Sequence, residues 1–380
     1  MDFNQPDEHR ILQDTLRRFF QARYSHELRR QNINSGEVYN TELFTELASL
    51  GVLGALHTED NGGFGGKGFD IATVFEELGR AGVVEPILGS ALLAGCLLAK
   101  TADPDIQEHI DLLGDVISGA SLISFAHGEP DSRYDLNRVT TQAIRKGDSI
   151  VINGVKTHVI NGDQASRILV SAREFGDTAD ESGISLFLLP ADAHGVKCVG
   201  HMNIDGSAAA TITLEDVKIS THDSLGERGA AYPAIEAARC YGILAVCAEA
   251  VGAMETCKEL TIEYLRERQQ FGQPIGKFQA LQHRMVDMLI EIEQARSAMV
   301  NLAGNLNQPR AIRERNASAA KNLIGRVGAL VSEECIQMHG GIGMTDEYAL
   351  SHFARRLIMI DHQFGDADHH LERFISWNEV

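Results

Sequence analysis

Two segments of this 380-residue chain combine cations, amides and glycines at spacings suited to holding a polyanion. In the first, Thr261 to Arg284, Arg266, Arg268, Lys277 and Arg284 stand against Glu263 and Glu267, a local balance of +2 in a chain whose formal net charge is −19. Cations gathered in this way could hold an anionic group in an otherwise acidic chain. The run Gly272-Gln273-Pro274-Ile275-Gly276 also suits a plain helix hairpin with a basic rim, which accounts for the turn but not for the polar set around it. The second segment, Gln337 to Tyr348, reads Gln337-Met338-His339-Gly340-Gly341-Ile342-Gly343 and sheds its side chains where a helix would end. Glycines there let a ligand approach the backbone, and a simple helix cap is the alternative.

Two other clusters carry less. Gly63-x-Gly65-x-x-Gly68 fits a dinucleotide fingerprint by letter, but that fingerprint needs a strand before it and a helix opening on the pyrophosphate, whereas this one follows a helix and a short connection. Asp361, His362, Asp366, Asp368, His369 and His370 crowd metal-ligand types into ten residues without the spacing of any zinc signature, so no metal is expected. A G-x-S-x-G elbow, a Walker loop and a C-x-x-C pair are all missing from the sequence, which leaves hydrolase, NTPase and thiol-redox readings without support.

The elements that position these segments follow from periodicity. Residues 1–120 read as helices: Ile11, Leu12, Leu16, Phe19 and Phe20 recur at helical spacing, Leu43, Leu47 and Leu50 precede a stop at Gly51, and Phe69 to Arg80 forms a further helix. Residues 121–227 read as strands at Ile168–Val170, Ile184–Leu189 and Ala209–Leu214, with a hairpin of Ile150–Ile152 and Val155–Thr157 closed by a type I′ turn at Asn153-Gly154. Residues 228–380 return to long helices, marked by stripes such as Ile243, Val246, Cys247, Ala250 and Met254. The expected class is α+β, in the order α, β, α.

Composition bounds the function. Hydrophobic residues at 44% and charged residues at 23% describe a folding globular chain. The acidic balance argues against a nucleic-acid or anionic-membrane binder. The longest nearly uncharged stretch, Pro86 to Ala99, is short for a membrane span, and the acidic start Met1–Glu8 lacks the pattern of a signal peptide. Six cysteines lie in apolar stretches with no C-x-x-C pair, which fits a reducing cytoplasm.

Taken in order, the Arg268 segment and the Gln337 segment resemble those of the acyl-CoA dehydrogenase family, and the resemblance extends through Leu50-Gly51-Val52-Leu53-Gly54, Asn61–Gly65 and Phe75–Gly82. Met344–Tyr348 and Phe364–His370 look most like the small, partner subunits of the pimeloyl-CoA and steroid side-chain types. The resemblance implies an N-terminal α-helical domain, a middle β-barrel-like domain and a C-terminal four-helix bundle, assembled as a tetramer with FAD held between subunits. It implies FAD contacts at Arg268, Phe271 and Gln279, and at Gln337, Gly340 and Gly341 on the strip a neighbouring subunit supplies. It implies oxidation of an acyl-CoA to the 2,3-enoyl-CoA in fatty-acid or steroid side-chain breakdown, with a carboxylate taking the α proton, flavin N5 taking the β hydride and an electron-transfer flavoprotein as acceptor.

The active centre departs from the family pattern. Where many members carry the base in a Tyr-Glu-Gly-Thr segment, this chain has Gln363-Phe364-Gly365-Asp366. The other family position, about 29 residues ahead of Phe271-Gly272, falls on Gly242. Thr-Glu-Pro-Gly is replaced by Gly128-Glu129-Pro130-Asp131, and Trp-Ile-Thr by His158-Val159-Ile160. The catalytic base is therefore not identified. Three readings are open: a half-site partner in a heteromer (homotetramer replaced by α2β2), a self-sufficient enzyme using Glu236 or Asp366, and a redox-inactive scaffold that binds acyl-CoA.

Overall fold

The computed structural model describes residues 7–35 and 39–378, so Met1–Pro6 of the acidic start lie outside the described residues. In chain order the helices α1 (Asp7–Arg23), α2 (His26–Ser35), α3 (Thr41–Ser49) and α4 (Gly68–Ala81) are followed by a π-helical stretch, Ile87–Ala94, that runs on into α5 (Gly95–Thr101), and then by α6 (Gln107–Ser118). Strands follow: β1 (Ile123–Ala126), β2 (Gln142–Lys146), β3 (Ser149–Ile160), β4 (Arg167–Arg173), β5 (Ile184–Pro190), β6 (Val196–Met202), β7 (Ala208–Ser220) and β8 (Ser224–Leu225). The long helix α7 (Tyr232–Glu267) leads to a small hairpin, β9 (Gln269–Gln270) and β10 (Gln273–Pro274), then α8 (Gln279–Asn305), α9 (Arg310–His339), α10 (Leu350–His362) and α11 (Ala367–Ser376). The fold is mixed, α then β then α, with helical first and last parts.

The chain divides into two compact units: residues 1–36, 67–83 and 243–380 in one, and 37–66 and 84–242 in the other. In the second unit the sheet runs β6-β7-β3-β2-β4-β5-β8, with β1 parallel to β4. Alternate residues of β4 and β5 enter different cores: Ile168, Val170, Phe187 and Leu189 pack on one face, and Leu169, Leu186 and Leu188 pack on the other with Leu97, Leu98, Leu113 and Val116 from the helices. Burial on both faces explains why these strands read as unbroken apolar runs.

The Asn153-Gly154 hairpin does not form. β3 runs straight through it, and the hairpin is β2 with β3, turning at Gly147-Asp148 between Lys146 and Ser149. Asn153 instead marks a bulge against β7, where its side chain exchanges hydrogen bonds with Asp216 (2.8 and 3.1 Å). A Cβ on Gly154 would stand 2.4 Å from Thr141 Oγ1, so close packing, not a turn, requires the glycine.

The glycine-rich loop ahead of α4 has a similar explanation. A Cβ on Gly63 would lie 2.3 Å from the His57 carbonyl oxygen, and one on Gly65 would lie 2.2 Å from that of Ala55. The loop lies backbone on backbone over its own preceding 3-10 turns, and among the described residues no strand precedes it. Among the described residues helix α7, rather than the Pro86–Ala99 stretch, is the one long and apolar enough to cross a membrane, but 94% of its most apolar window is buried inside the protein. Its apolarity serves the core.

Candidate functional site

The last turns of α7 and α9 lie side by side. At their tips the Tyr264 ring stacks on that of His339, with centroids 4.5 Å apart and planes at 24°. Arg268 closes α7 through its amide N–H to the Tyr264 carbonyl (2.9 Å), and Gly340 follows His339 directly. The two polyanion-suited segments, some seventy residues apart in the chain, are thus brought to one end of a single helical unit. Nothing in their spacing had joined them.

Beyond Arg268 the chain does not turn at Gly272-Gln273-Pro274-Ile275-Gly276 as the composition suggested. It makes the β9–β10 hairpin, whose turn residues Phe271 (φ +53) and Gly272 (φ +77) are both left-handed, as a two-residue type I′ turn demands. Left-handed backbone costs a phenylalanine about 1–2 kcal/mol. Phe271 is also 91% exposed, its ring edge-on to Phe278 with centroids 6.1 Å apart. A strained, projecting aromatic gains nothing inside its own chain, which fits insertion into a ligand or partner site. Gln279, the first residue of α8, is exposed at the same end, as is Arg268.

The glycines after α9 divide by cause. Gly340 caps the helix at φ +69. Gly341 has no atom within 4 Å of where a Cβ would stand and no left-handed φ, so nothing in the chain itself requires glycine there. Exposed Arg268 and Gln337 and the open backbone at Gly341 are groups that could meet phosphate oxygens, and FAD fits that chemistry.

The 363–366 loop is held from several sides. Lys321 of α9 is wholly buried and donates from Nζ to the carbonyls of Asp361 and Gly365, both at 2.8 Å. Burial pushes its pKa down, with Cys247, Asp361 and Asp366 opposing. His370 donates from Nε2 to the Phe364 carbonyl (3.1 Å), and Asp366 accepts from the His369 N–H (2.8 Å) as the N-cap of α11. These contacts hold Phe364 at φ +61 beside Gly365 at φ +118. Asp366 and His370 of this cluster are thus spent on the loop, and among the described residues no group of three or more His, Cys, Asp or Glu is placed to hold a metal ion. Lys321 went unnoticed in the sequence, although it falls on the stripe Lys321-Gly325-Gly328-Ser332-Cys335 that α9 buries.

In the other unit, the Gly128–Asp131 segment is organised by a buried ion pair. Lys156 Nζ lies 2.7 Å from Glu129 Oε1 and also donates to the His127 carbonyl (3.1 Å) and Ser171 Oγ (3.2 Å). Glu129 accepts further bonds from the Thr140 N–H (2.7 Å) and hydroxyl and from the Thr141 N–H (3.0 Å). Burial alone would raise the Glu129 pKa, but the ammonium and these donors hold it down to about 2. Burial also pushes the His127 imidazole down to about 3. His158 sits at a bulge of β3 with φ +52, and Ile160 lies against the π-helical stretch, its Cγ2 2.9 Å from where a Cβ on Gly89 would be.

Three family models match the chain: acyl-CoA dehydrogenase N-terminal domain over residues 6–119, middle domain over 124–217 and C-terminal domain over 240–372. The chain is 27% identical to a probable acyl-CoA dehydrogenase, YngJ, of Bacillus subtilis (strain 168), over 99% of this chain and 98% of that protein. Its fold is similar to that of butyryl-CoA dehydrogenase from Megasphaera elsdenii, at 26% identity and a TM-score of 0.90 over the whole of both chains. It is similar also to a variant of the Tcur3481-Tcur3483 steroid ACAD, at 27% identity and a TM-score of 0.86 over 98% of each chain. Fold and family match define a flavin-dependent oxidoreductase. The chain belongs to the acyl-CoA dehydrogenase family, whose cofactor is FAD.

Two outcomes follow. Gly341→Val should leave the melting temperature unchanged and lower FAD retention in the assembled protein, as should Arg268→Ala; unchanged flavin content in both would contradict a role for these groups in holding FAD. Lys156→Met should cost about 3–5 kcal/mol by urea unfolding because it strands Glu129, and Glu129→Gln added to it should recover most of that loss. With its pKa lowered from 4.5, Glu129 contributes stability that is complete above about pH 4.5 and is lost as the pH falls towards 2.

Proposed function

We propose that this chain is the half-site subunit of a heteromeric FAD-dependent acyl-CoA dehydrogenase. Its Arg268, Phe271, Gln279, Gln337, Gly340 and Gly341 complete the FAD site of a paralogous partner in an α2β2 assembly, and the partner supplies the base and the acyl-CoA pocket. FAD, when bound, supplies the two-electron acceptor. Arg268 neutralises phosphate charge, the Gly340-Gly341 backbone lets those oxygens come close, and Phe271 shields the site from water. The three segments 1–120, 121–227 and 228–380 divide this work, in a cytoplasmic protein whose acceptor is an electron-transfer flavoprotein.

The observation that carries the reading is Phe364. The loop that would present a base is built and braced, yet the residue it presents is a hydrocarbon in strained backbone. The other carboxylates are engaged elsewhere: Asp366 caps α11, and Glu236 is 1% exposed near the Tyr232 hydroxyl (3.5 Å). Ile160 has no hydroxyl to offer a flavin. The two-component name of the Tcur3481-Tcur3483 steroid ACAD adds support for a paired assembly.

The test is the visible spectrum of the chain purified alone and of the chain co-expressed with its paralogue, each then given acyl-CoAs of several lengths without oxygen. Flavin that appears with the paralogue and bleaches only there supports the proposal. Bleaching by the lone chain would overturn it in favour of a self-sufficient enzyme, and absence of flavin from the pair would overturn it in favour of a scaffold.

A further inference from the structure

The strip from Gly340 to Tyr348 is held by two imidazoles that both bond near its C-terminal end, at Tyr348 and Asp346, and the partners of each ring point to its tautomer. His339, which directly precedes the strip, has Nδ1 2.8 Å from the Cys335 carbonyl oxygen, which can only accept, with the Leu260 carbonyl also acting on the ring, so Nδ1 carries the proton and Nε2 accepts from the Tyr348 hydroxyl at 3.2 Å. His352 Nε2 lies 2.9 Å from the Asp346 carbonyl oxygen, so there Nε2 carries the proton. Its Nδ1 accepts at 2.8 Å from Arg29 Nη1, a group that can only donate. Arg29 is itself fixed by its Nε bond to the Gly82 carbonyl (2.7 Å). Both rings are buried, at 4% and 6% exposure.

We propose that His339 and His352, held neutral in opposite tautomers, are positioning residues that fix the strip so that the Gly340-Gly341 backbone is preformed for its anionic ligand, and that protonation of His352 releases the strip. This rests on the reading of that backbone as a contact for phosphate oxygens. The release follows from geometry: a proton on Nδ1 faces the Arg29 guanidinium, so a hydrogen bond becomes a contact between two cations. The groups around His352 add to that cost. His26 of α2 stands ring edge to ring face at 4.6 Å, and Arg355 lies on its own helix. Asp346 Oδ1 opposes at 3.4 Å, but that oxygen is engaged by Arg355 at 2.9 Å and the carboxylate's Oδ2 by Arg30 at 3.8 Å. Both His26 and His352 line a cavity of about 480 Å³ whose wall includes Arg17, Glu77, Arg80, Glu259 and Arg356, so water and protons reach the ring. Burial, then Arg29, Arg355 and His26, push its pKa down to about 4 against the pull of the Asp346 carbonyl. A pKa lowered from 6.5 means that the neutral clamp is complete above about pH 6.5 and opens as the pH falls towards 4.

His339 responds differently. A proton on its Nε2 can still donate to the Tyr348 oxygen, which turns its own hydroxyl away, so the His339–Tyr348 bond holds when the His352–Asp346 bond opens. The clamp is therefore asymmetric, with His352 as its pH-sensitive member.

The test uses the full chain labelled with 15N-histidine. Nitrogen shifts should show His339 protonated on Nδ1 and His352 on Nε2 at pH 7, and amide hydrogen exchange, corrected for its intrinsic pH dependence, should show protection of residues 340–348 falling about tenfold between pH 7 and 4.5 relative to α8, the loss of one net hydrogen bond. His352→Phe should remove that protection at pH 7 and abolish its pH dependence, and His352→Gln, which can donate and accept at the same end, should restore protection without the pH dependence. The same tautomer on both rings, or strip protection that is indifferent to pH and to His352→Phe, would overturn the proposal. These readouts do not need flavin, so a chain that binds none would sink the half-site reading while leaving the clamp to stand or fall on its own.

Discussion

The arrangement that everything else at the candidate site depends on is the side-by-side packing of the last turns of α7 and α9, sealed by the Tyr264–His339 stack. Arg268 is four residues past one ring and Gly340 is one residue past the other, so a change in helix register at this seam would separate the cation from the open backbone. A 36-residue helix fixes direction over its whole length, and a single stacking contact at its tip then fixes position. The hairpin that carries Phe271 and the strip that carries Gly341 are both extensions of this one junction.

Charge gives the junction its meaning. A chain with a net charge of −19 can hold a polyanion only where cations are gathered and competing carboxylates are occupied. Elsewhere the protein spends its cations on buried structure: Lys156 on Glu129, Lys321 on two carbonyls, and Arg356 on Glu249 at 2.5 and 2.6 Å. Such buried pairs cost much to break and stabilise little over an apolar core, so their value lies in fixing one arrangement of loops. The Lys156 contacts hold the 128–131 segment, and the Lys321 contacts hold the 363–366 loop.

Much of the fold was legible because it rests on periodicity. The α, β, α order, the stop at Gly51 and the apolar stripes of α7, α8 and α9 all reflect burial of one face or two. What misled was chemistry with two structural uses. Asn153-Gly154 suits a type I′ turn, but it also suits a bulge whose asparagine bonds across the sheet to Asp216, and only the pairing partner decides. Phe271-Gly272 was the true type I′ turn, disguised because phenylalanine so rarely adopts that backbone. At the site, the motif residues were readable by type. Their convergence, the role of Lys321 and the two histidine tautomers were not, since each depends on a distant partner in the chain or on which atom of a ring faces which neighbour.

The central claim is that this chain completes a partner's cofactor site and has none of its own, and the most direct measurement is the number of FAD molecules per chain in the intact assembly, by native mass spectrometry with the flavin absorbance as a check. The account predicts one FAD for every two chains, one of each kind. One FAD per chain, or full occupancy of an assembly made of this chain alone, would contradict it.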